Sequence, residues 1–129
     1  MGKKSVEDIK SMCKKDYYEC FEPMEKNVII DGSYEEYENS LKKYSKSQRL
    51  IFAVCEYLRE VYNGGHEQFF YNSSGIMWKD VLEGLKLIGY DEGYNNYINV
   101  LKCFEGEIPF DRNVRNRLSW IYKRRRWLI

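Results

Sequence analysis

The apolar residues between Ser47 and Tyr62 recur at spacings of three and four, the period of one face of an α-helix. They are Leu50, Ile51, Val54, Cys55, Leu58 and Val61. Strict alternation of apolar and polar residues is nearly absent elsewhere, and only the NVII run at 27–30 hints at extended backbone. We therefore predict an all-α fold, a single compact domain of about six helices, with this segment as its central helix.

Capping signals divide the rest of the chain into further helices. Ser5 with Asp8, and Ser33 with Glu36, have the three-residue spacing of a capping box. The first helix should end before Pro23, because proline lacks the amide that a helix interior needs. The Ser33 helix should carry Tyr34, Tyr37, Leu41 and Tyr44 on its apolar side.

Glycines and later caps place the remaining helices. The central helix should end at Asn63–Gly64–Gly65, where glycine tolerates a left-handed backbone. A helix outlined by Ile76, Val81, Leu82, Leu85 and Ile88 should close at Gly89, and Asp91 should cap the next one, which carries Tyr94, Tyr97, Ile98, Leu101 and Phe104. The last helix should begin at Asp111, with Val114, Leu118 and Ile121 inward and its arginines outward.

Length and composition limit the classes of protein. A chain of 129 residues suits one domain, spanning 1–129. It has no apolar run of the roughly 18 residues that cross a bilayer, and MGKKSVEDIK lacks the apolar centre of a secretion signal, so we expect a cytoplasmic protein with no membrane partner. The cysteines at 13, 20, 55 and 103 lack metal or redox spacing, so we expect neither metal nor disulfide.

A net charge of +1 conceals two opposed segments. Residues 16–40, the acidic segment, hold eight acids against Lys26, whereas residues 111–129, the basic segment, hold seven bases against Asp111. Mutual attraction could hold the two segments together, or they could face different partners. The sequence leaves both arrangements open.

The stretch NGGHEQFFYNSSG, residues 63–75, contains the only histidine. Catalysis would need His66 beside a hydroxyl such as Ser73 or Ser74 and an orienting acid, but Glu67 is its direct neighbour and points elsewhere on a helix. The glycines also lack the spacing of a phosphate-binding loop. We therefore predict no catalytic residue, metal or cofactor.

This stretch is better explained as a brace between two helices. The glycines would turn the chain, Phe69, Phe70 and Tyr71 would enter the core, and the amides would satisfy backbone groups of the turn. A second turn at 72–75 would let Ser73 or Ser74 cap the next helix. The predicted binding or structural motif comprises Asn63, Gly64, Gly65, His66, Gln68, Phe69, Phe70, Tyr71, Asn72, Ser73 and Gly75.

The run EVYNGGHEQFFYNSSG at 60–75, followed by DVLEGLKLIG at 80–89, resembles a bacterial family of domains of unknown function that includes a DNA-mimic protein. The resemblance covers about residues 45–108 and leaves out the N-terminal helices at 5–44 and the basic helix at 111–129. It implies an all-helical domain without catalytic residues or cofactor. The family's mimic presents a DNA-like acidic surface to a transcription factor.

The balanced charge of this chain argues against DNA mimicry, which requires a dense acidic surface. We predict a non-enzymatic protein-interaction domain with a regulatory or inhibitory role, sequestering a regulator or a toxin; a homodimer is also compatible with the sequence. A first alternative is nucleic-acid binding through the basic aromatic C-terminal helix. Its contacts would be Arg115, Lys123, Arg124, Arg125 and Arg126. A second is a hydrolase that uses His66.

Overall fold

A computed structural model describes residues 17–104 and 106–124, with side chains described from 21 to 118 within those ranges. This part of the chain forms six α-helices and no strand, which confirms the all-α prediction. The helices are α1 (Tyr17–Asn27), α2 (Tyr34–Ser40), α3 (Lys46–Tyr71), α4 (Trp78–Leu87), α5 (Asp91–Leu101) and α6 (Arg112–Arg124). A 3₁₀ turn, Ser73–Met77, links α3 to α4. The predicted cap at Ser5 lies outside the described residues.

Helix α3 is the centre of the fold, as its apolar stripe predicts. Helix α4 packs along it, and the 3₁₀ turn and α6 also contact it. The two helices lie close together at Gly84 of α4, where an added Cβ would lie 2.6 Å from Val54 Cγ2 and 2.7 Å from the Leu50 carbonyl oxygen. A side chain at position 84 would therefore push the two helices apart.

Capping boxes begin both α2 and α3. The Glu36 amide donates to Ser33 Oγ at 3.1 Å, and Glu36 Oε1 accepts from the Ser33 amide at 3.0 Å, which confirms the predicted cap. Ser45 and Gln48 form the same arrangement, so α3 begins slightly before the predicted start near Ser47. Each box satisfies backbone donors that the first helical turn leaves without partners.

The predicted end of the first helix before Pro23 is wrong, because α1 continues through Pro23 to Asn27. Proline removes a single helical hydrogen bond. Phe21 and Met24 on either side of it are almost fully buried. Their burial compensates for the missing bond, and the Val28 amide still donates to the Met24 carbonyl at 2.8 Å.

Continuous helix ends at the glycines as predicted, and a further short stretch of helix follows at once and reaches Tyr71, so that α3 consists of two parts. Gly64 (φ −153°, ψ 18°) and Gly65 (φ 76°, ψ −179°) interrupt it with non-helical backbone. The glycine signal correctly located a break, which we call the glycine break. It did not reveal that helical backbone would resume immediately afterwards.

Three predictions near later helix ends also need correction. Neither Ser73 nor Ser74 caps α4, whose N-cap is Met77 without a side-chain bond. Tyr90, not Asp91, is the N-cap of α5. Val114 is exposed rather than inward. Gly89, with φ 74°, does follow α4 as predicted.

We expect Gly84→Ala to lower the free energy of unfolding by about 1–3 kcal/mol, because the new methyl group would overlap Val54 and the α3 backbone. Alanine is otherwise the better helix former, so an isolated helix would gain stability. Urea denaturation measures the change. Lys79→Ala, at an exposed position of the same helix, is the control and should stay within about 0.5 kcal/mol of wild type. An unchanged or raised stability of the glycine variant would contradict the close packing.

Candidate interaction surface around the glycine break

Arg115 of α6 is completely buried and binds backbone carbonyls instead of a carboxylate. Its Nε donates to the Phe70 carbonyl at 2.6 Å, and its Nη2 donates to the Asn72 carbonyl at 2.7 Å. Its Nη1 donates to the Phe110 carbonyl at 2.8 Å. Arg112 adds a bond from Nε to the Tyr71 carbonyl at 2.9 Å. Two arginines of α6 thus satisfy the last carbonyls of α3, where the helix dipole also favours positive charge.

The 3₁₀ turn leaves room for this guanidinium at Gly75. An added Cβ there would lie 2.6–2.8 Å from three guanidinium atoms of Arg115. Burial, with the nearby charge of Arg112, lowers the pKa of Arg115 to about 10, so the group remains charged at neutral pH. The expectation that the arginines of this helix face outward is therefore wrong at Arg115.

The burial of Arg115 bears on the proposed nucleic-acid contacts. Arg115 has no solvent-exposed surface through which it could reach a phosphate, so it is ill placed for that role. The side chains of Lys123 and Arg124, in the last turn of α6, and the residues Arg125 and Arg126 lie outside what the structure describes. Their part in nucleic-acid binding stays a prediction.

The aromatic residues of the motif do not all enter the core. Phe69 and Phe70 are fully buried and meet edge to face, with ring centroids 5.0 Å apart. Tyr57 contacts Phe69 in the same way at 5.2 Å. Tyr71, however, is 51% exposed, which corrects its predicted burial. One further residue turns the side chain by about 100° around a helix, away from the core.

The amides of the motif brace the glycine break through a carboxylate rather than through turn backbone. Glu60, before the break, accepts from Gln68 Nε2 at 2.7 Å and from Asn72 Nδ2 at 3.0 Å, both after it. Gly64 makes room for this bridge, since a Cβ there would lie 1.9 Å from Gln68 Oε1. The three side chains fix the relative orientation of the two parts of α3.

His66 pairs with a tyrosine. Its Nε2 lies 2.6 Å from the Tyr57 hydroxyl oxygen, and the ring is partly buried. Burial lowers the pKa of His66 below its ordinary value and raises the pKa of Tyr57, so both groups are neutral at neutral pH. The Ser74 hydroxyl donates to the Phe69 carbonyl at 3.4 Å. This geometry gives His66 a structural partner rather than a nucleophile to activate.

The outer side of α3 carries three adjoining depressions, which together we call the α3 surface. An apolar one of about 500 Å³ is lined by Leu58 and Tyr62, and Tyr62 is 88% exposed. The second depression is acidic and lies beside Glu60, and Asn63 lines both this depression and the apolar one. The third depression is polar and lies beside the exposed Tyr71, and Gln68 lines both this depression and the acidic one. Among the described residues, the lining comprises Cys55, Glu56, Leu58, Arg59, Glu60, Tyr62, Asn63, Gly64, Glu67, Gln68, Tyr71 and Asn72.

Carboxylates cluster at the acidic part of this surface. Arg59 Nη1 lies 2.9 Å from Glu25 Oε1 and 2.8 Å from Glu56 Oε1. Burial raises the pKa of Glu56, and the nearby carboxylates of Glu25 and Glu60 raise it further, while Arg59 opposes them. The local excess of carboxylates favours a positively charged neighbour.

Within the described residues, the acidic and basic segments do not meet through ion pairs. Glu38 of the acidic segment pairs with Arg49 of α3 at 3.0 Å, and the arginines of α6 bind carbonyls. An aromatic contact lies close to the start of α6, where the Tyr34 ring stacks on Phe110, the residue just before the basic segment, with centroids 3.7 Å apart. Whether the two segments face different partners stays a prediction.

A polar cleft of about 390 Å³ lies beside that junction, between the loop before α2 and the start of α6. Ser73 of the motif lines it, together with Asp31, Asp111 and Arg112. Asp111 Oδ1 accepts from the Val114 amide at 2.9 Å and so caps α6. The sequence motif thus contributes to two separate surfaces, Ser73 to this cleft and its amides to the α3 surface.

Sequence reasoning missed a buried polar centre that joins α2, α3 and α4. Asp80, almost fully buried, accepts from the Tyr37 hydroxyl at 2.5 Å and from Arg49 Nε at 2.8 Å. Burial, followed by the Asp80 charge, raises the pKa of Tyr37, which keeps its proton for this bond. The sequence feature that could have revealed this centre is Asp80 itself, an acid on the apolar side of a predicted helix, where an unpaired charge would be energetically costly.

Two classes of site have no candidate in the part of the chain that is described. Across residues 17–104 and 106–124, no group of three or more of the described histidine, cysteine or acidic side chains is placed to hold a metal ion. No helix within the same ranges is long and apolar enough to cross a membrane. The features that remain are the motif, the α3 surface and the polar cleft.

We expect Arg115→Ala to lower the free energy of unfolding by roughly 3–5 kcal/mol, because buried carbonyls on two elements would lose their donor. Arg115→Lys should fall between this variant and wild type, since one ammonium cannot reach all the acceptors of a planar fork. Arg117→Ala, at an exposed position of α6, is the control. Chemical denaturation measures all three, and equal stabilities of the Arg115 and Arg117 alanine variants would contradict the cap.

His66 should make the fold less stable in acid. Its pKa is lowered in the folded state, so below its ordinary value near 6.5 the unfolded chain takes up a proton that the folded chain resists. The contribution is fully present above that value and is lost as the pH falls below it. We expect the unfolding free energy of wild type to fall more than that of His66→Gln between pH 7.5 and 5.5. Parallel curves for the two proteins would show that His66 does not titrate differently on unfolding.

The sequence matches one family of known proteins. A family model described as "DMP19-like protein" matches residues 42–126. The match confirms the resemblance carried by the motif and extends it through most of the basic segment, beyond the predicted limit at 108. Neither the curated proteins nor the solved structures gave a match. Because the family model covers more than half of the sequence, the chain belongs to the DMP19-like protein family.

Proposed function

We propose that this chain is a non-enzymatic protein-interaction domain that binds its partner through the α3 surface. One observation carries the proposal: Tyr62 is 88% exposed beside an apolar depression, whereas Phe69 and Phe70 of the adjoining motif are buried. Exposed tyrosine over apolar surface is typical of binding sites, because its ring gives contact area at little entropic cost. Membership of a family that includes a DNA-mimic protein supports the same class of function.

The polar side chains of the motif form hydrogen bonds within the protein, and these bonds support a non-catalytic role. His66 bonds to Tyr57, and Gln68 and Asn72 bond to Glu60. These bonds position the aromatic residues and the two parts of α3. A hydrolase would require His66 to face a nucleophile, and the tyrosine occupies its Nε2 instead.

The charge of the α3 surface favours a partner with basic residues. Glu25, Glu56 and Glu60 lie around Arg59, so carboxylates outnumber bases there. This acidic area is local, because the chain as a whole carries a net charge of +1. The charge argues for contact with a basic protein surface rather than for imitation of a DNA backbone along the whole molecule. Blocking a regulator or a toxin would be a consistent role for such a domain.

Affinity capture from native cell extract tests this function. We expect a protein to be retained by the wild-type chain after nuclease treatment, and Tyr62→Ala to weaken its binding about tenfold or more, as for the loss of a central interface tyrosine. The fold should not change, because the Tyr62 side chain is almost entirely exposed.

Ile29→Ala is the matched control, an exposed apolar residue that does not line the α3 surface. It should leave the captured protein unchanged. Loss of the retained material on nuclease treatment would instead favour the nucleic-acid alternative. Equal capture by wild type and Tyr62→Ala would overturn the assignment of binding to the α3 surface.

A further inference from the structure

One asparagine of the sequence is followed directly by glycine, and this pair, Asn63–Gly64, lies at the glycine break. Both residues are exposed. The Asn63 side chain forms no hydrogen bond with the other residues that the structure describes. Asparagine loses its side-chain amide most readily before glycine, because glycine has no Cβ to shield its backbone nitrogen and allows the backbone to rotate.

Deamidation at this pair needs no reactant except water. The Gly64 nitrogen attacks Cγ of Asn63, a C–N bond forms, and Nδ2 leaves as ammonia with the proton of the Gly64 amide. Water then adds to either carbonyl of the cyclic imide that results. Opening breaks either the new C–N bond, which gives aspartate, or the original main-chain bond, which gives isoaspartate. In both products an OH group replaces an NH2 group, and the carboxylate is ionised at neutral pH.

The backbone of the glycine break favours ring closure although Asn63 belongs to α3. A regular helix resists the reaction, because ring closure requires rotation about the Cα–C bond of the asparagine and the helical hydrogen bonds prevent it. Directly after Asn63, however, Gly64 and Gly65 have non-helical backbone. An added Cβ at Gly65 would meet no atom within 4 Å, so the chain there has open space in which to move. Local opening therefore costs less at this position than inside a continuous helix.

Two other asparagines provide comparisons within the same chain. Asn72 is followed by serine, its Nδ2 donates to Glu60 at 3.0 Å, and its carbonyl accepts from Arg115 at 2.7 Å. These bonds hold both its side chain and its backbone. Asn39, in the last turn of α2, is exposed like Asn63 but is also followed by serine. Exposure alone therefore does not distinguish Asn63, whereas the following glycine and the interrupted helix do.

We propose that Asn63 is a site of spontaneous deamidation, through which the α3 surface gains a negative charge over time. Asn63 lines both the apolar and the acidic depression. The new carboxylate therefore extends the acidic area beside Glu60 to the edge of the depression that Tyr62 lines. Isoaspartate also adds a carbon atom to the main chain at the glycine break. The reaction does not depend on the proposed function, because it involves no partner.

Peptide mapping by tandem mass spectrometry tests the site. The folded full chain is kept at neutral pH and physiological temperature and sampled over several weeks, and an unincubated sample gives the background of the digestion. Trypsin releases residues 60–79 as one peptide, in which fragment ions distinguish Asn63 from Asn72. We expect conversion at Asn63 to be roughly ten times faster than at Asn72 or Asn39, which corresponds to a barrier lower by about 1.4 kcal/mol.

The products and a matched variant test the chemical route. Isoaspartate should be present at position 63, since direct hydrolysis of the side-chain amide by water would give aspartate alone. Asn63→Gln retains an amide at the same exposed position, but glutamine forms the corresponding ring far more slowly. Ion-exchange chromatography should therefore show a more acidic form that accumulates in wild type and not in Asn63→Gln, while circular dichroism shows both proteins to be folded.

Three results would overturn the proposal. One is conversion at Asn63 that is no faster than at Asn72 and Asn39 in the folded chain. Another is an acidic form that accumulates equally in wild type and in Asn63→Gln, because it would then arise at other residues. The third is a product at position 63 that contains aspartate without isoaspartate, since the cyclic imide opens to both.

Discussion

The fold depends on a buried positive charge that has only backbone oxygens as partners. Arg115 joins the end of α3 to the residues before α6, and thereby fixes a segment far along the chain against the central helix. The geometry needs an unsubstituted carbon at Gly75 and the planar fork of a guanidinium.

The polar residues between Asn63 and Gly75 have mainly structural roles. A histidine, amides and serines close together suggest chemistry, yet most of them serve the geometry of α3. Glu60 ties Gln68 and Asn72 across the glycine break, and His66 ties to Tyr57. These bonds leave exposed aromatic and acidic side chains on the outer side of α3 as the features suited to recognition. Binding at a surface held by an internal polar brace is consistent with membership of the DMP19-like protein family.

Patterns among residues close together in the sequence predicted the helices. The features that the sequence did not predict depend on contacts between residues that are far apart in the chain. The Ser33–Glu36 cap and the apolar stripe of α3 involve residues a few positions apart, so the sequence reveals them directly. The course of α1 through Pro23 depends on burial against other helices. The inward position of Arg115 depends on carbonyls more than forty residues away. Of the candidate surface, the motif located the glycine break but not the exposure of Tyr62, which only the packed helices determine.

The glycine break uncouples the rotation of one part of α3 about the helix axis from that of the other part. In an uninterrupted helix, each residue fixes the direction of every later one at about 100° per step. Non-helical backbone at Gly64 and Gly65 ends that constraint, so the short part carrying Phe69 and Phe70 can rotate to its own packing optimum. An insertion near Val54 would turn the whole downstream face away from its neighbours, whereas the orientation after the glycines is set by the bonds of Glu60 to Gln68 and Asn72.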